Sequence, residues 1–350
     1  MFSFYSRKEN LIGLDISSSA VKLVEMSRKG RDYRIDSYAV APLPEGASND
    51  KDIIEPEPIR EAIRQVIRDS RTKLKRCALA IPTSMAINKI ITMSASIPLT
   101  ELEAQMAMEA EQHIPYPMHE VSYDFEVLGP SATSKDTVDI LLAATRSENV
   151  EVRVAAAEMA GLSVEIVDTE AHALEKVLRH LTTELDQHES VAIVDFGASM
   201  TGISVFEHGR ISFSREQAFG GKMLTTEIMH RYGLTWQDAG LAKKEGNLPE
   251  NYIPEVLEPF KENMVRQLHR FLQFYYASSQ RDSVSQVLVC GGCTRIPGID
   301  EQIQAAIGIP TRVVNPFAKV SLGSKVSPSR FTNDMQALLV AAGLSLRGLE

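Results

Sequence analysis

The sequence predicts a two-lobed α/β fold built by duplication of one strand-turn-strand unit, with a small α+β subdomain inserted into the first copy. Three observations predict it. The stretch Leu11 to Met26 (LIGLDISSSAVKLVEM) is matched by Val191 to Phe206 (VAIVDFGASMTGISVF); each is an apolar strand that delivers one aspartate, Asp15 or Asp195, into a turn of small residues before a second apolar strand begins. Set in register, 195 minus 15 or 180 residues apart, the copies also align Ser17 with Gly197, Ser18 with Ala198, Ser19 with Ser199 and Leu23 with Ile203. Between the copies, from Thr83 to about Leu128, the pattern changes to a helix followed by prolines and a strictly alternating strand. Late in the second half another buried-type strand, Val287 to Cys290, empties into Gly291-Gly292.

At 350 residues the chain can bury two cores, and its 44% apolar and 24% charged residues are those of a globular protein. A net charge of −9 argues against general nucleic-acid binding, which needs a basic face. Cys77, Cys290 and Cys293 cannot make a disulfide framework, and no secretory leader is read at the start, so a cytoplasmic protein is expected. No apolar run approaches the roughly 18 to 20 residues of a spanning helix, so membrane association is expected only through a partner.

After a polar start, Met1 to Asn10, strands are expected at Leu11 to Ile16, Ala20 to Met26 and Tyr33 to Ala41. Ile59, Ile63, Val66 and Ile67 recur at helical spacing and predict a helix over Pro58 to Ser70, followed by a strand Cys77 to Ile81 that ends at Pro82. In the insertion, Thr100 and Glu103 form a capping box for a helix bearing Leu102, Met106, Ala107 and Ala110, which ends before Pro115 and Pro117. Met106 and Met108, near His113, read as subdomain core. Val121, Tyr123, Phe125 and Val127 alternate as in a half-buried strand, and Val138 to Ala144 supplies another. A helix Asn149 to Met159, a strand Ser163 to Val167, a helix Thr169 to about Leu185 and the acidic turn Asp186 to Glu189 lead into the second half.

There the first unit repeats as strands Val191 to Phe196, Thr201 to Glu207 and Arg210 to Gln217, turned at His208-Gly209. Helices follow at Leu224 to Tyr232, Trp236 to Lys244 and Val256 to Ser278, then the strand Gln286 to Cys290, a helix Ile299 to Ile307 and a strand Thr311 to Val314. Ala337, Ala341, Ala342 and Gly343 mark a final helix that must pack closely on a neighbour. The domains are therefore placed at 1–82, an insertion at 83–162, a return with a connecting helix at 163–189, a second domain at 190–332 and a closing helix at 333–350.

An aspartate at a strand end followed by small hydroxyl residues surrounds one point with backbone N–H groups and hydroxyls that suit anionic oxygens. The carboxylate itself repels phosphate, but it can hold a hydrated Mg²⁺ whose charge bridges to phosphate oxygens. Two such turns would grip a phosphorylated ligand in a cleft between lobes, with Lys22 adding positive charge. The turn Gly291-Gly292 lets backbone approach a flat or anionic group. Cys290-Gly291-Gly292-Cys293 also satisfies C-x-x-C, yet zinc lacks a second ligand pair and a redox site would sit at a helix start. Gly220-Gly221-Lys222-Met223 lacks the upstream glycine and the Ser/Thr of a Walker A loop.

These three motifs resemble the phosphate-1, phosphate-2 and adenosine motifs of the actin-like (ribonuclease H-like) ATPase fold, and the insertion after Thr83 is similar to the subdomain arrangement of FtsA. More specifically, LIGLDISSSAVKLVEMS, EAEQHIPYPMHEVSYDFEVLG, AFGGKMLTTEIMHRYGL, AGLAKKEGNLP and NPFAKV resemble the PilM family of type IV pilus inner-membrane assembly proteins over nearly the whole chain. The resemblance implies ATP and Mg²⁺ in the interdomain cleft. It also implies a groove between the first half-domain and the insertion for the short cytoplasmic amino-terminal peptide of PilN, with PilO and the pilus motor ATPases as indirect partners. A peripheral place at the inner membrane, a part in twitching motility and room for self-association follow from it. On the family pattern Asp15, Ser17, Ser18, Ser19 and Lys22 fall on phosphate 1, Asp195, Gly197, Ser199 and Thr201 on phosphate 2, and Gly291, Gly292, Thr294 and Arg295 on the adenosine motif. Gly220 and Gly221 join the candidate nucleotide contacts, and Lys243 is assigned to the ribose. Asp15 and Asp195 would hold Mg²⁺ through water. Glu170 matches the place of a connecting-helix Glu that orients water or magnesium, against the plain reading of an acid favoured at a helix N-terminus. Ser17 departs from the usual glycine, and its Cβ would crowd the phosphate turn, so ATP binding with weak or absent hydrolysis is expected. Two rival readings stand beside this one. A small-molecule kinase would need a carboxylate base, and the strand end Ala80 to Ser84 offers none. An FtsA-like membrane filament would need a basic amphipathic end, whereas Ala337 to Leu349 carries Arg347 as its only base.

Overall fold

The structure is a computed structural model that describes residues 10–44, 46–49, 52–131, 134–182, 190–207, 209–279 and 282–349. Strands β1 (Ile12–Ile16), β2 (Ala20–Lys29) and β3 (Asp32–Pro42) form an antiparallel meander; β4 (Ser48–Asn49), β5 (Asp52–Ile53), α1 (Pro56–Ser70) and β6 (Arg76–Ile81) follow. The insertion supplies β7 (Ile87–Ser94), α2 (Leu99–His113), β8 (Val121–Pro130) and β9 (Thr137–Arg146), after which α3 (Ser147–Met159), β10 (Ser163–Thr169) and α4 (Glu170–Leu181) return to the first lobe. The second half contains β11 (Val191–Phe196), β12 (Met200–Glu207), β13 (Arg210–Ala218), α5 (Gly221–Tyr232), α6 (Trp236–Glu245), α7 (Glu258–Ser279), β14 (Gln286–Cys290), α8 (Ile299–Ile307) and β15 (Thr311–Val313). The short strand β16 (Ser321–Leu322), α9 (Pro328–Asp334) and α10 (Leu339–Leu346) close the chain.

The duplication is visible in the ladders. One sheet has the order β3-β2-β1-β6-β10 with β16 added beside β3, and the other has the order β13-β12-β11-β14-β15. In each, an antiparallel hairpin places the aspartate opposite a residue seven positions on, Asp15 opposite Lys22 and Asp195 opposite Gly202. In each, the aspartate strand then pairs in parallel with the next strand, β1 with β6 and β11 with β14. Helices cover both faces, so β1 is buried along its whole length, and its run of apolar residues needs no alternation.

A third sheet, β7-β9-β8, belongs to the insertion and lays Ile91, Met93, Ile140 and Leu142 against Leu102, Met106 and Ala110 of α2. The sequence reading contains no strand at β7, because apolar residues fall on both of its faces and hide the period of two: Ile91 is buried while its neighbour Ile90 is 50% exposed. The capping box is not formed. Helix α2 starts at Leu99 under Pro98, whose carbonyl accepts from the N–H groups of Glu101 and Leu102, and Thr100 lies inside the first turn. Met106 is core as expected, but Met108 is 68% exposed. Helix α3, grouped with the insertion on sequence, packs Ala156 and Ala157 into the core of the first lobe. Helix α4 ends at Leu181; the expected continuation to Leu185, the turn at 186–189 and His208 lie outside the described residues.

The closing helix packs as tightly as its small residues require. A Cβ on Gly13 would stand 1.8 Å from the Ala341 carbonyl oxygen, and one on Gly343 would stand 1.9 Å from that of Ala173. Helix α10 is thus pressed between β1 and α4. A core cluster that includes Val24, Val177, Val191, Phe206 and Ala341 joins the two lobes around it. Among the described residues no helix is long and apolar enough to cross a membrane.

Candidate functional site

The parallel order of β6-β1 and β14-β11 brings the two aspartate turns to the same ends of their sheets, facing each other. Asp15, Asp195, Glu170 at the first residue of α4, and the Gly291-Gly292 turn all line one cavity of about 130 Å³. Asp15 is buried, and Lys22, opposite it in the ladder, donates from Nζ to its Oδ2 at 2.8 Å. Burial alone would lower the Lys22 ammonium, but the charges of Asp15, Asp195 and Glu170 and the hydrogen bond to Asp15 outweigh it and hold the group above its ordinary value. Glu216 of β13 also lines the cavity, so four carboxylates face one lysine there. An anionic ligand therefore enters only with a compensating cation. Among the described residues no group of three or more His, Cys, Asp or Glu side chains surrounds a metal position. Two carboxylates that leave most of an octahedral shell to water and ligand oxygens fit Mg²⁺ better than a fully caged ion.

The turns are built alike. The Ser17 N–H donates to the Ala20 carbonyl at 3.0 Å, and the Gly197 N–H donates to that of Met200 at 3.0 Å. A Cβ on Gly197 would approach the Met200 oxygen to 2.7 Å, whereas Ser17 turns the same closeness into a bond, its Oγ donating to the Ala20 carbonyl at 2.9 Å. Ser18 and Ser19 line the cavity beside it. Gly291 adopts φ +88°, and a Cβ there would stand 2.1 Å from Asp195 Oδ1, so only glycine lets this turn close on the aspartate. Gly220 packs on the second turn, where a Cβ would come 2.5 Å from the Ala198 oxygen, and Gly221 donates its N–H to the Gly197 carbonyl.

Other candidates lie away from the cavity. Thr201 is fully buried and donates from Oγ1 to the Phe219 carbonyl at 2.8 Å, inside the second lobe. Ser199 Oγ is buried with no hydrogen-bond partner among the described residues. Thr294 closes its own turn by donating to the Gly291 carbonyl, and Arg295 is exposed beyond it. Lys243, lowered by burial with Cys293 opposing, donates to the Gly221 carbonyl at 3.0 Å and to Thr225 Oγ1 at 2.5 Å; it braces α5. The three thiols are free and buried. Burial pushes Cys293 up to about 11 and raises Cys290 well above its ordinary value, which suits neither redox exchange nor metal binding. Sequence reasoning missed Lys222, whose Nζ crosses between the lobes to the Ser18 carbonyl at 3.0 Å. Its signal was its place directly after Gly220-Gly221.

A larger groove, about 300 Å³, runs between the insertion and the body of the molecule. Its walls are β8 and β9 on one side and the ends of β6 and β10 with α4 on the other, and Arg210 and Ile211 of the second lobe close one end. In it sits Asp168, with Thr169 N–H on Oδ1 at 2.7 Å, His172 Nδ1 at 3.4 Å and Arg347 Nε 3.2 Å from Oδ2. Burial would raise this carboxyl, but His172, Arg347 and the Thr169 N–H outweigh it and hold it below the usual carboxylate range. Groove and cleft share one wall: Asp168 and Thr169 face the groove, and the next residue, Glu170, faces the cleft. Three contacts cross between the lobes near it. Arg210 donates to the Leu128 carbonyl at 3.0 Å, Ile211 N–H donates to Glu175 Oε2 at 2.9 Å, and Glu216 Oε2 accepts from Ser84 N–H at 2.7 Å.

Comparison with known proteins agrees with this architecture. The chain is similar to the solved PilM-PilN type IV pilus biogenesis complex at 26% identity and TM-score 0.83, over 98% of this chain and 99% of that one. It is also similar to the ethanolamine utilization protein EutJ from Carboxydothermus hydrogenoformans, at 16% identity and TM-score 0.57 over 97% and 89% of the two chains. MreB 5 of Spiroplasma citri bound to AMPPNP matches at 12% identity and TM-score 0.50 over 97% and 95%. The last two show the fold alone, which is that of the actin-like ATPases. Residues 13–349 match the family described as Type IV pilus assembly protein PilM, and the chain belongs to that family.

Proposed function

We propose that this protein is a nucleotide-responsive adaptor of type IV pilus assembly, binding ATP with Mg²⁺ in the cleft and the cytoplasmic amino-terminal peptide of PilN in the groove. The observation that carries the reading is the shared wall, in which consecutive residues line the two cavities. Asp15 and Asp195 would hold the metal through water, and Mg²⁺ would supply the charge that brings phosphate oxygens into an acidic cleft. The turns at Ser17 to Ser19 and Gly197 would take the phosphates, and Gly291-Gly292 the nucleoside side. Glu170 would orient water or the metal. Ser17, with its hydroxyl spent on Ala20, adds bulk where a glycine stands in the twin turn, and slow or absent turnover is expected. Through PilN the protein would sit at the cytoplasmic face of the inner membrane, with PilO and the motor ATPases as further contacts and twitching as the output. The likeness to the PilM-PilN complex supports the partner, and the AMPPNP-bound MreB 5 structure supports a nucleotide.

The test is a pair of calorimetric titrations, with ATP·Mg²⁺ and with a synthetic PilN amino-terminal peptide. Asp15→Ala and Asp195→Ala should each weaken ATP by about tenfold or more, a loss of about 1.4 kcal/mol, and should lower peptide affinity as well. Peptide affinity unchanged in both variants would reject nucleotide control.

A further inference from the structure

We infer that the end of the first lobe opposite the cleft docks directly on an anionic lipid bilayer, through a basic patch made by the β2-β3 hairpin and the loop from α1 to β6. Residues 28–34 and 68–76 together carry nine Lys or Arg against two Asp, in a protein whose net charge is −9. The two stretches are separate in sequence, and the sheet brings them to one end. Ile12 pairs with Cys77 on one side and Glu25 on the other, so Arg76 lies level with the start of β1, and β2 runs on past that level to Lys29, which faces Asp32 across the hairpin. Asp15 and the cleft stand at the other end of β1. Lys325, after β16, reaches the patch too, donating from Nζ to the Arg71 carbonyl at 3.0 Å.

The loop turns its cations outward with a period of two. Arg71, left-handed at φ +55°, leads the chain off α1. Arg71, Lys73 and Lys75 are exposed, while Thr72 and Leu74 between them are partly buried: Thr72 Oγ1 accepts from the Leu74 N–H at 3.1 Å, and Leu74 packs on the core of the lobe. In the hairpin, Arg28, Lys29 and Arg31 are exposed as well. Some of the charge is spent, Arg34 on Asp36 and Arg76 on Glu165. Among the described residues Lys29, Arg31, Arg68, Arg71, Lys73 and Lys75 make no ion pair. Strands β6 and β3 are three ladder spacings apart, about 14 Å, so these groups do not converge on one small anion. A leaflet with many headgroups meets such a spread, and each Lys or Arg held against it is worth roughly fivefold in binding. The sequence ahead of Asn10, outside the described residues, contains Phe2, Phe4, Tyr5, Arg7 and Lys8 and joins β1 at this same end. Aromatic side chains beside basic ones suit a headgroup layer better than the surface of an acidic protein.

The experiment is sedimentation of the full-length protein, alone, with vesicles of phosphatidylglycerol and phosphatidylcholine in equal parts and with vesicles of phosphatidylcholine only. Docking predicts binding to the first and not to the second, weakening by about tenfold or more as salt is raised from low to physiological strength. Lys73→Ala with Lys75→Ala, and separately Lys29→Ala with Arg31→Ala, should each lower binding by about tenfold or more with the thermal midpoint kept, since all four side chains are exposed. The two pairs lie on different loops, so each tests the patch without the other. No binding to the anionic vesicles at low salt overturns the inference, as does equal binding to both kinds of vesicle or wild-type binding by both variants. Binding to polyglutamate but not to anionic vesicles assigns the patch to an acidic protein partner and also overturns it. Neither PilN nor nucleotide enters the assay, so its failure leaves the adaptor function standing, and failure of that function leaves the patch to be judged by the vesicles.

Discussion

Asp15 and Lys22 meet because the Ser17 to Ser19 turn fixes the register of the hairpin, and at the same register position in the second lobe stands Gly202. The cleft therefore has two aspartates and one internal counter-charge. Both partners are largely buried, at 4% and 14% side-chain exposure, so the pair behaves as a buried ion pair. Lys22→Met should leave Asp15 uncompensated and destabilise the apoprotein by about 3–5 kcal/mol, read by urea unfolding. The pH dependence has a definite sign. Lys22 is held above its ordinary 10.5 in the folded state, so its contribution is fully present below that value and is lost only as pH rises through the higher folded value. The stability gap between wild type and Lys22→Met should stay flat between about pH 7 and pH 10; a gap that closes within that range would show that the pair does not hold the lysine charged.

At the scale of elements, α10 is the piece on which both lobes rest. The β2 ladder slips between Glu25 and Met26, and the Met26 N–H freed there donates to Ser345 Oγ at 3.0 Å while Ser345 donates to the Leu11 carbonyl at 2.8 Å. One hydroxyl thus repairs a bulge and ties the last helix to the first strand. Ser345→Ala should cost about 1–3 kcal/mol by leaving a buried N–H unsatisfied. Gly343→Val should cost about 3 kcal/mol or prevent folding, since even a Cβ meets the Ala173 carbonyl at 1.9 Å. Denaturant midpoints check both, and a Gly343→Val protein as stable as wild type would mean that α10 is not packed as described.

At the scale of the molecule, Lys222 to Ser18, Arg210 to Leu128 and Glu216 to Ser84 all span from the second lobe to the first or to its insertion. Glu216 is distinctive in lining the cleft while holding the first turn of the insertion. If ATP alters peptide affinity, the peptide must alter ATP affinity by the same factor, commonly about 5- to 150-fold. Glu216→Ala should bring that factor toward one in a four-titration cycle. A factor equal to wild type would place the coupling elsewhere.

The sequence by itself determined the duplication, the two aspartates, the Gly-Gly turn and the need for a tightly packed last helix, because each is written in local spacing and residue size. It also pointed to Lys22, since hairpin register is a matter of counting. It could not show that Thr201, Thr294 and Lys243 are spent inside the second lobe, or that Lys222 and Glu216 reach across to the first. Those contacts join residues 204 and 132 positions apart, and only the packing of one sheet against the other decides them. The same holds for the groove: β8 was readable as an alternating strand, but that it lines one groove with residues of α4 is a property of how the insertion docks.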